Sequence, residues 1–157
     1  MQLHLSKARS KQLRCRFSAL TEGAAAELFI GQGIRTSLET NGPDLLTKEA
    51  VCLKASCGAG HLDSILRGLA RIDLEKPAPS FEPIRQRLEE MEDRESLCTI
   101  FFSGDARPEF QQLLEKFRKE KREFIWFCPV NRAIRPEINA GIRPYTRLID
   151  VEEGGRL

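Results

Sequence analysis

The spacing of apolar residues along the first half of the chain predicts alternating helices and strands. Over Leu13–Ile30, apolar side chains recur every three or four residues until glycines end the pattern, which is typical of an amphipathic helix. Along Ile34–Thr40, the side chains of Ile34, Thr36 and Leu38 alternate with more polar ones, and an Asn-Gly-Pro turn follows. This pattern predicts a strand. Ala50–Ala55 predicts a further short strand. A brief alternation over Gln2–Ser6 predicts a first strand near the N-terminus.

The second half continues this alternation with more strongly apolar strands. Helical spacing over Leu62–Ile72 and Ser80–Met91 predicts two helices that are separated by a Pro-Ala-Pro break. Leu97–Ser103 and Phe124–Val130 are nearly continuous apolar runs, as in strands that are covered on both faces. A helix that begins at Pro108 is predicted between them. This order favours an α/β domain with a parallel sheet and helices on both sides.

Composition limits the compartment and the kind of partner. The chain has 157 residues, which suits a single domain, and its 25 basic and 23 acidic side chains give a net charge of only +2. So small a charge does not favour a polyanionic partner, and no nucleic acid is predicted. The five cysteines form no C-x-x-C pair and indicate reduced, buried thiols in a cytoplasmic protein. No apolar stretch approaches the ~18–20 residues of a membrane span, so no membrane segment is predicted in this chain.

Three stretches carry a resemblance to a known family: QGIRTSLETNG (32–42), CGAGHLDSILRGLARID (57–73) and FIWFCPV (124–130). With the order of the elements, they resemble the C-terminal part of the bacterial family called domain of unknown function 58, which looks like a von Willebrand factor type A domain. The resemblance implies a Rossmann-like, mostly parallel doubly wound sheet over residues 1–130, with helices on both faces and a ligand site at the C-terminal ends of the strands. Residues 131–157 are then a basic tail that either adds an edge strand or stays mobile.

The resemblance also implies a functional context. Longer members of the family carry N-terminal membrane helices and a β-rich segment before this domain, so the chain is expected to be either a fragment or the product of a truncated gene. Its longer relatives are expected to be membrane-anchored. Genes of the family commonly neighbour those of MoxR-type AAA ATPases. The implied function is a protein-interaction module that acts as an adaptor or assembly factor for such a motor.

A type A domain that binds a divalent metal takes oxygen ligands from three loops. In this sequence the first loop falls at His4–Ala8 and lacks the aspartate. The second falls near Gly58–His61 and offers no threonine, whereas the third falls near Ser103–Asp105 and offers one aspartate. The positions that remain of this degenerate site are Ser6, Ser103 and Asp105. No metal and no cofactor is therefore predicted.

The glycine-rich stretch ASCGAGHLDSIL (55–66) opens a predicted helix, where backbone N–H groups can bind phosphate. It lacks the lysine of a Walker loop and the third glycine of a dinucleotide loop, and Asp63 would repel a phosphate. The spacing of Cys52, Cys57 and His61 suggests zinc, but two buried thiols and a histidine at a helix start are the simpler interpretation. We expect an ordinary strand-to-helix turn that leaves a histidine and an aspartate at the surface. The candidate partner-binding residues are His61, Asp63 and Asp105.

Two alternatives to a non-catalytic interaction module stay open. One is an enzyme that depends on a metal or a small molecule and uses the loops around Ser6, Gly58–Asp63 and Asp105, although no nucleophile with a histidine base and an orienting carboxylate is recognisable. The other is a binder of nucleic acid or of an anionic surface through Lys7–Arg16, which holds five basic residues and no acid. A solvated helix face explains that basic segment more simply.

Overall fold

The computed structural model describes residues 19–73, 82–90, 98–131 and 135–151. The predicted first strand at Gln2–Ser6 and the basic segment Lys7–Arg16 lie outside these ranges. Residues 19–31 form the described part of the first helix, α1. The other elements, in chain order, are β1 (Thr36–Pro43), β2 (Ala50–Ser56), α2 (Ala59–Ala70), α3 (Glu82–Glu90), β3 (Thr99–Phe102), α4 (Pro108–Lys119), β4 (Phe124–Val130), a short 3-10 helix (Arg143–Tyr145) and β5 (Thr146–Asp150).

The described chain divides into two compact units, each with its own sheet. Within residues 19–90, β1 and β2 form a two-stranded antiparallel sheet; from residue 98 onward, β3, β4 and β5 form a parallel sheet in that order. The α/β class is therefore confirmed. The prediction of parallel pairing is wrong for β1 and β2, because the connection from Pro43 to Ala50 is too short for the crossover of a dozen or more residues that parallel strands need.

The first unit has a core between two helices and the hairpin. Four buried side chains form its centre, and they are surrounded by partly buried leucines of both strands and of α2 and by an isoleucine that follows α2. The central residues are Ala26, Ile30, Ile65 and Leu69, with Leu38, Leu53, Leu62 and Ile72 packed against them. At Gly68, an added Cβ would lie 2.9 Å from Cγ1 of Val51. Helix α2 therefore lies so close to the sheet at this point that a side chain larger than glycine does not fit.

The second unit is built around the crossover from β3 through α4 to β4. The buried face of α4 consists of Phe110, Gln111, Leu113, Leu114 and Phe117. Its phenylalanine rings meet the sheet rings edge to face, with centroids 5.6 Å apart for Phe101 and Phe110 and 5.3 Å apart for Phe110 and Trp126. Such contacts add about 0.5–1.5 kcal/mol per pair beyond simple burial. The two apolar runs found in the sequence therefore become the paired strands that hold α4.

The segment that follows β4 contributes the edge of this sheet. Trp126 of β4 pairs with Thr146 of β5, and the register continues to Val130 and Asp150. Gln111 of α4 fastens the chain before β5, because its Nε2 donates to the carbonyl oxygens of Ala106 and Glu137 at 2.8 and 3.0 Å. Of the two alternatives for residues 131–157, the described part therefore contains the edge strand.

The cysteines differ from the prediction of buried thiols. Among the described residues, Cys128 is buried, whereas Cys52, Cys57 and Cys98 are exposed. Cys52 lies on the outward face of β2, since its neighbours Val51 and Leu53 are the residues that turn inward. The side chains of this apolar run therefore alternate between the inward and the outward face of the strand, and the Cys52 thiol is on the outward face.

Candidate functional site

The loop at the carboxyl end of β3 brings two of the predicted site residues together. The backbone N–H of Ser103 donates to the carbonyl of Phe127 at 3.1 Å, and the buried Trp126 indole donates to the carbonyl of Ser103 at 2.8 Å. The hydroxyl of Ser103 then accepts from the backbone N–H of Asp105 at 3.1 Å. Ser103 and Asp105 are therefore neighbours on a loop that is fastened to β4, at the sheet edge where open α/β folds bind ligands.

The Asp105 carboxylate is bonded by its own loop. Arg107 donates from Nε to Oδ1 at 2.8 Å and from Nη2 to Oδ2 at 2.6 Å, and its backbone N–H also reaches Oδ1 at 3.1 Å. The side-chain hydrogen bonds of Arg107 hold the pKa of Asp105 below its ordinary value, although partial burial opposes them. Asp105 is therefore an ionised carboxylate whose two oxygens are both engaged.

This geometry makes Arg107, rather than Asp105, the group that is open to a partner. The guanidinium side chain is 74% exposed, and the pair with Asp105 uses two of its five N–H donors. A divalent cation at this carboxylate would lie beside the positive charge of the guanidinium, which opposes its binding. Within the described ranges, no three His, Cys, Asp or Glu side chains gather into a set that could hold a metal ion. The loop is therefore suited to binding an acceptor such as a carboxylate.

The two candidates on α2 lie in the first unit and have different surroundings. The chain turns at Gly58 with φ 92°, and α2 begins at the next residue. His61 is half-buried, and its Nε2 lies 2.7 Å from the carbonyl oxygen of Thr36, so the ring fastens α2 to β1. Asp63 is exposed and pairs with Arg67 at 2.7 Å on the helix surface. His61 therefore has a structural contact, whereas Asp63 is accessible.

One predicted site residue lies in a part of the chain that the structure does not describe, and two residues of the site are not among those that the sequence predicts. Ser6, the position that the first loop contributes to the degenerate metal site, lies outside the described residues. Arg107 and Gln111 were not singled out by the sequence pattern, although an Asp-x-Arg spacing directly after an apolar strand is a signal for a loop closed by its own ion pair. A glutamine at an inward position of α4 is likewise a signal for a buried hydrogen-bond anchor.

Comparison with other proteins does not add to this geometry. The chain was compared with protein-family models, with curated proteins and with solved structures, and none of the three comparisons gave a match. In the part of the chain that the structure describes, no helix is long and apolar enough to cross a membrane. The assignment of the site therefore rests on its own contacts.

Proposed function

We propose that this chain is a non-catalytic protein-interaction module in which the Asp105–Arg107 pair forms the recognition element. The observation that supports the proposal is that both oxygens of the Asp105 carboxylate, at the carboxyl edge of the parallel sheet, accept hydrogen bonds from Arg107. In a cation-dependent module, a metal ion held by such a carboxylate would attract an acidic group of the partner. Here the guanidinium of Arg107 supplies the positive charge, and Asp105 fixes its position.

The proposed partner surface is acidic, because Arg107 keeps N–H donors that can form charge-assisted hydrogen bonds to a carboxylate. Pre-organisation supports such binding, since the side chain does not have to be ordered when the partner arrives. The loop itself is fastened by Ser103 and Trp126. Binding through Arg107 thus needs neither a metal ion nor a movement of the sheet.

The identity of the partner follows from the resemblance to the C-terminal part of the domain of unknown function 58 family. On the basis of that resemblance, we propose a type A-like fold for the domain. The proposed partner is a MoxR-type AAA ATPase. The parallel β3–β4–β5 sheet with its helical crossover is compatible with one half of such a domain. The proposed role is therefore that of an adaptor for the motor.

Binding of the purified full chain to a MoxR-type ATPase from the same genome tests this proposal. We expect Arg107→Glu to weaken binding at least tenfold, because it turns the fixed cation into an anion that faces acidic groups. Arg118→Glu is the matched control, since Arg118 also pairs with a nearby carboxylate, that of Glu115, but at the other end of α4. We expect the control to bind within about twofold of the natural chain, as rim charges contribute little. An absence of binding, or equal loss in both variants, would contradict the proposal.

A further inference from the structure

The second unit contains a surface cavity of about 140 Å³ beside its edge strand. The described residues that line it are Ile138, Arg143, Thr146 and Leu148. Thr146 of β5 pairs with Trp126 of β4, and Trp126 contacts Phe110 of α4. Side chains two apart on a strand share a face, so Thr146 and Leu148 both lie on the side of the sheet that α4 covers. The walls of the cavity are therefore β5 and the chain segment that leads into it.

These walls offer one kind of polar interaction. Ile138 is buried and Leu148 is half-buried, and both contribute apolar side chains. The hydroxyl of Thr146 donates to the carbonyl oxygen of Ile142 at 2.9 Å, which uses its one proton. Among the described side chains of the lining, Arg143 is therefore the one that has hydrogen-bond donors for a ligand.

Arg143 differs from neighbouring arginines because its guanidinium is available. Arg135 donates to the carboxylate of Asp150 at 3.1 Å, and Arg147 donates to two backbone carbonyl oxygens at 2.8 and 3.1 Å. Arg143 is exposed, and within the described part of the chain its guanidinium makes no hydrogen bond or ion pair. The described lining contains no acidic side chain. The cavity thus combines an apolar wall with an uncompensated positive charge.

We infer that this cavity binds a small monocarboxylate whose apolar body has about six carbon atoms. An apolar cavity of about 150 Å³ holds a benzene molecule, so a volume of about 140 Å³ suits a group of nearly that size. The planar guanidinium of Arg143 matches the two oxygens of a carboxylate and forms charge-assisted hydrogen bonds with them. The apolar wall and the charge together favour an aromatic or branched acid over an alcohol or an amine of the same shape.

This site is separate from the Asp105–Arg107 loop. That loop follows the carboxyl end of β3, whereas Arg143 precedes the amino end of β5, and the strands are parallel. Tyr145 lies against Phe124, the first residue of β4, with ring centroids 5.0 Å apart. The two sites therefore lie at opposite ends of the strands, and the inference does not depend on the proposed function.

The binding is expected to be weak. Benzoate, which has the required ring and charge, contains only about nine non-hydrogen atoms, and a small ligand gains a limited free energy from each atom. Water also screens the charge of an exposed arginine. We expect a dissociation constant of roughly 0.1–5 mM, which suits a ligand that exchanges rapidly.

Titration of the full chain with sodium benzoate at constant ionic strength tests the inference. Backbone amide chemical shifts over ~0.05–20 mM, a range that brackets this affinity, are expected to saturate, with the largest changes at residues 138–148. Arg143→Ala is expected to weaken binding at least tenfold, because it removes the charged donor. Lys119→Ala, which removes an exposed cation from α4 in the same unit, is the matched control and is expected to bind within about twofold of the natural chain.

Three results of this titration would contradict the inference. The first is a natural chain without saturable shift changes, and the second is an Arg143→Ala variant that binds as tightly as the natural chain. The third is a set of shift changes centred on Arg107, which would place the acid on the other loop.

Two further ligands separate the roles of the charge and of the apolar wall. Benzyl alcohol keeps the ring and lacks the charge, and acetate keeps the charge and lacks the ring. Each is expected to bind at least tenfold more weakly than benzoate, because each loses one of the two contributions. Acetate that binds as tightly as benzoate would show that the cavity contributes nothing, and equally tight benzyl alcohol would show the same for Arg143. Either result overturns the inference.

Discussion

The Asp105 carboxylate illustrates how a local contact fixes a charge. It accepts hydrogen bonds from both the backbone and the guanidinium of Arg107, and these bonds favour the ionised form. Its pKa is therefore lowered in the folded chain relative to the unfolded one. The stability that this pair contributes is present at neutral pH and is lost as the pH falls through the lowered pKa, where the folded carboxylate takes up its proton. The loop is thus unaffected by pH changes near neutrality.

Glu22 of α1 behaves in the opposite way. It is half-buried, and the loss of hydration raises its pKa to about 8 from an ordinary value of 4.5. Between these two values the folded state holds a proton that the unfolded state has released, so the free energy of unfolding falls as pH rises. Burial of this one carboxyl therefore makes the fold less stable towards alkaline pH.

The substitution Glu22→Gln tests this effect, because glutamine has a similar shape and does not ionise. We expect the variant to gain stability over the natural chain between pH 5 and pH 8, by on the order of 1–3 kcal/mol at the upper end. Urea unfolding at the two pH values measures the gain. Glu49→Gln, at an exposed position of the same unit, is the control for the removal of one carboxyl group. A difference between Glu22→Gln and the natural chain that does not change with pH would rule out a raised pKa.

At the scale of elements, the contact between α2 and the hairpin depends on one glycine. The Cβ of an alanine at 68 would lie 2.9 Å from a methyl group of Val51, whose β-branched side chain has little freedom to move. Overpacking of this kind costs roughly 1–3 kcal/mol, which exceeds the roughly 0.5–1 kcal/mol that alanine gains over glycine in a helix. At position 68, the close packing of α2 against the hairpin therefore contributes more to the free energy of unfolding than the higher helix propensity of alanine would.

Gly68→Ala is expected to lower the free energy of unfolding by about 1 kcal/mol, from the difference of these two effects. Gly60→Ala, in the first turn of the same helix, has no atom within 4 Å of the added Cβ and is expected to raise the free energy by up to about 1 kcal/mol. Chemical denaturation of both variants measures the pair. Changes of the same sign in the two variants would mean that the contact with Val51 does not limit the packing of α2.

The hairpin also shows where the sequence pattern was insufficient at this scale. The Asn-Gly-Pro stretch predicted the end of a strand, but β1 continues through Pro43, and the turn is organised by the next residue. Asp44 accepts from the backbone N–H groups of Leu46 and Thr47 at 2.7 and 3.1 Å, and Arg71 pairs with its other oxygen at 3.0 Å. An aspartate that bonds its own following backbone was the stronger turn signal.

At the scale of the whole chain, the strongly patterned segments were predictable and the pairing of strands was less so. The segments that became β3 and β4 were visible in the sequence as nearly continuous apolar runs, and the buried face of α4 was visible as a helical period. The antiparallel hairpin was missed, since periodicity identifies strands but does not give their direction. At the candidate site, the resemblance predicts Ser103 and Asp105 as positions of a degenerate metal site, and the structure places both on one loop. The partner of Asp105 was not predicted, because an ion pair within a loop leaves no periodic pattern.

The cation dependence of thermal stability tests most directly whether Arg107 stands where a metal ion would. The full chain is unfolded thermally in metal-free buffer and in millimolar Mg²⁺, Mn²⁺ or Ca²⁺. Any ion that binds the folded state selectively must raise the midpoint by mass action. With the Asp105 oxygens engaged by Arg107, we predict midpoints that agree within about one degree, since no binding means no mass-action shift. A rise of several degrees with one cation, abolished by Asp105→Asn, would contradict the account.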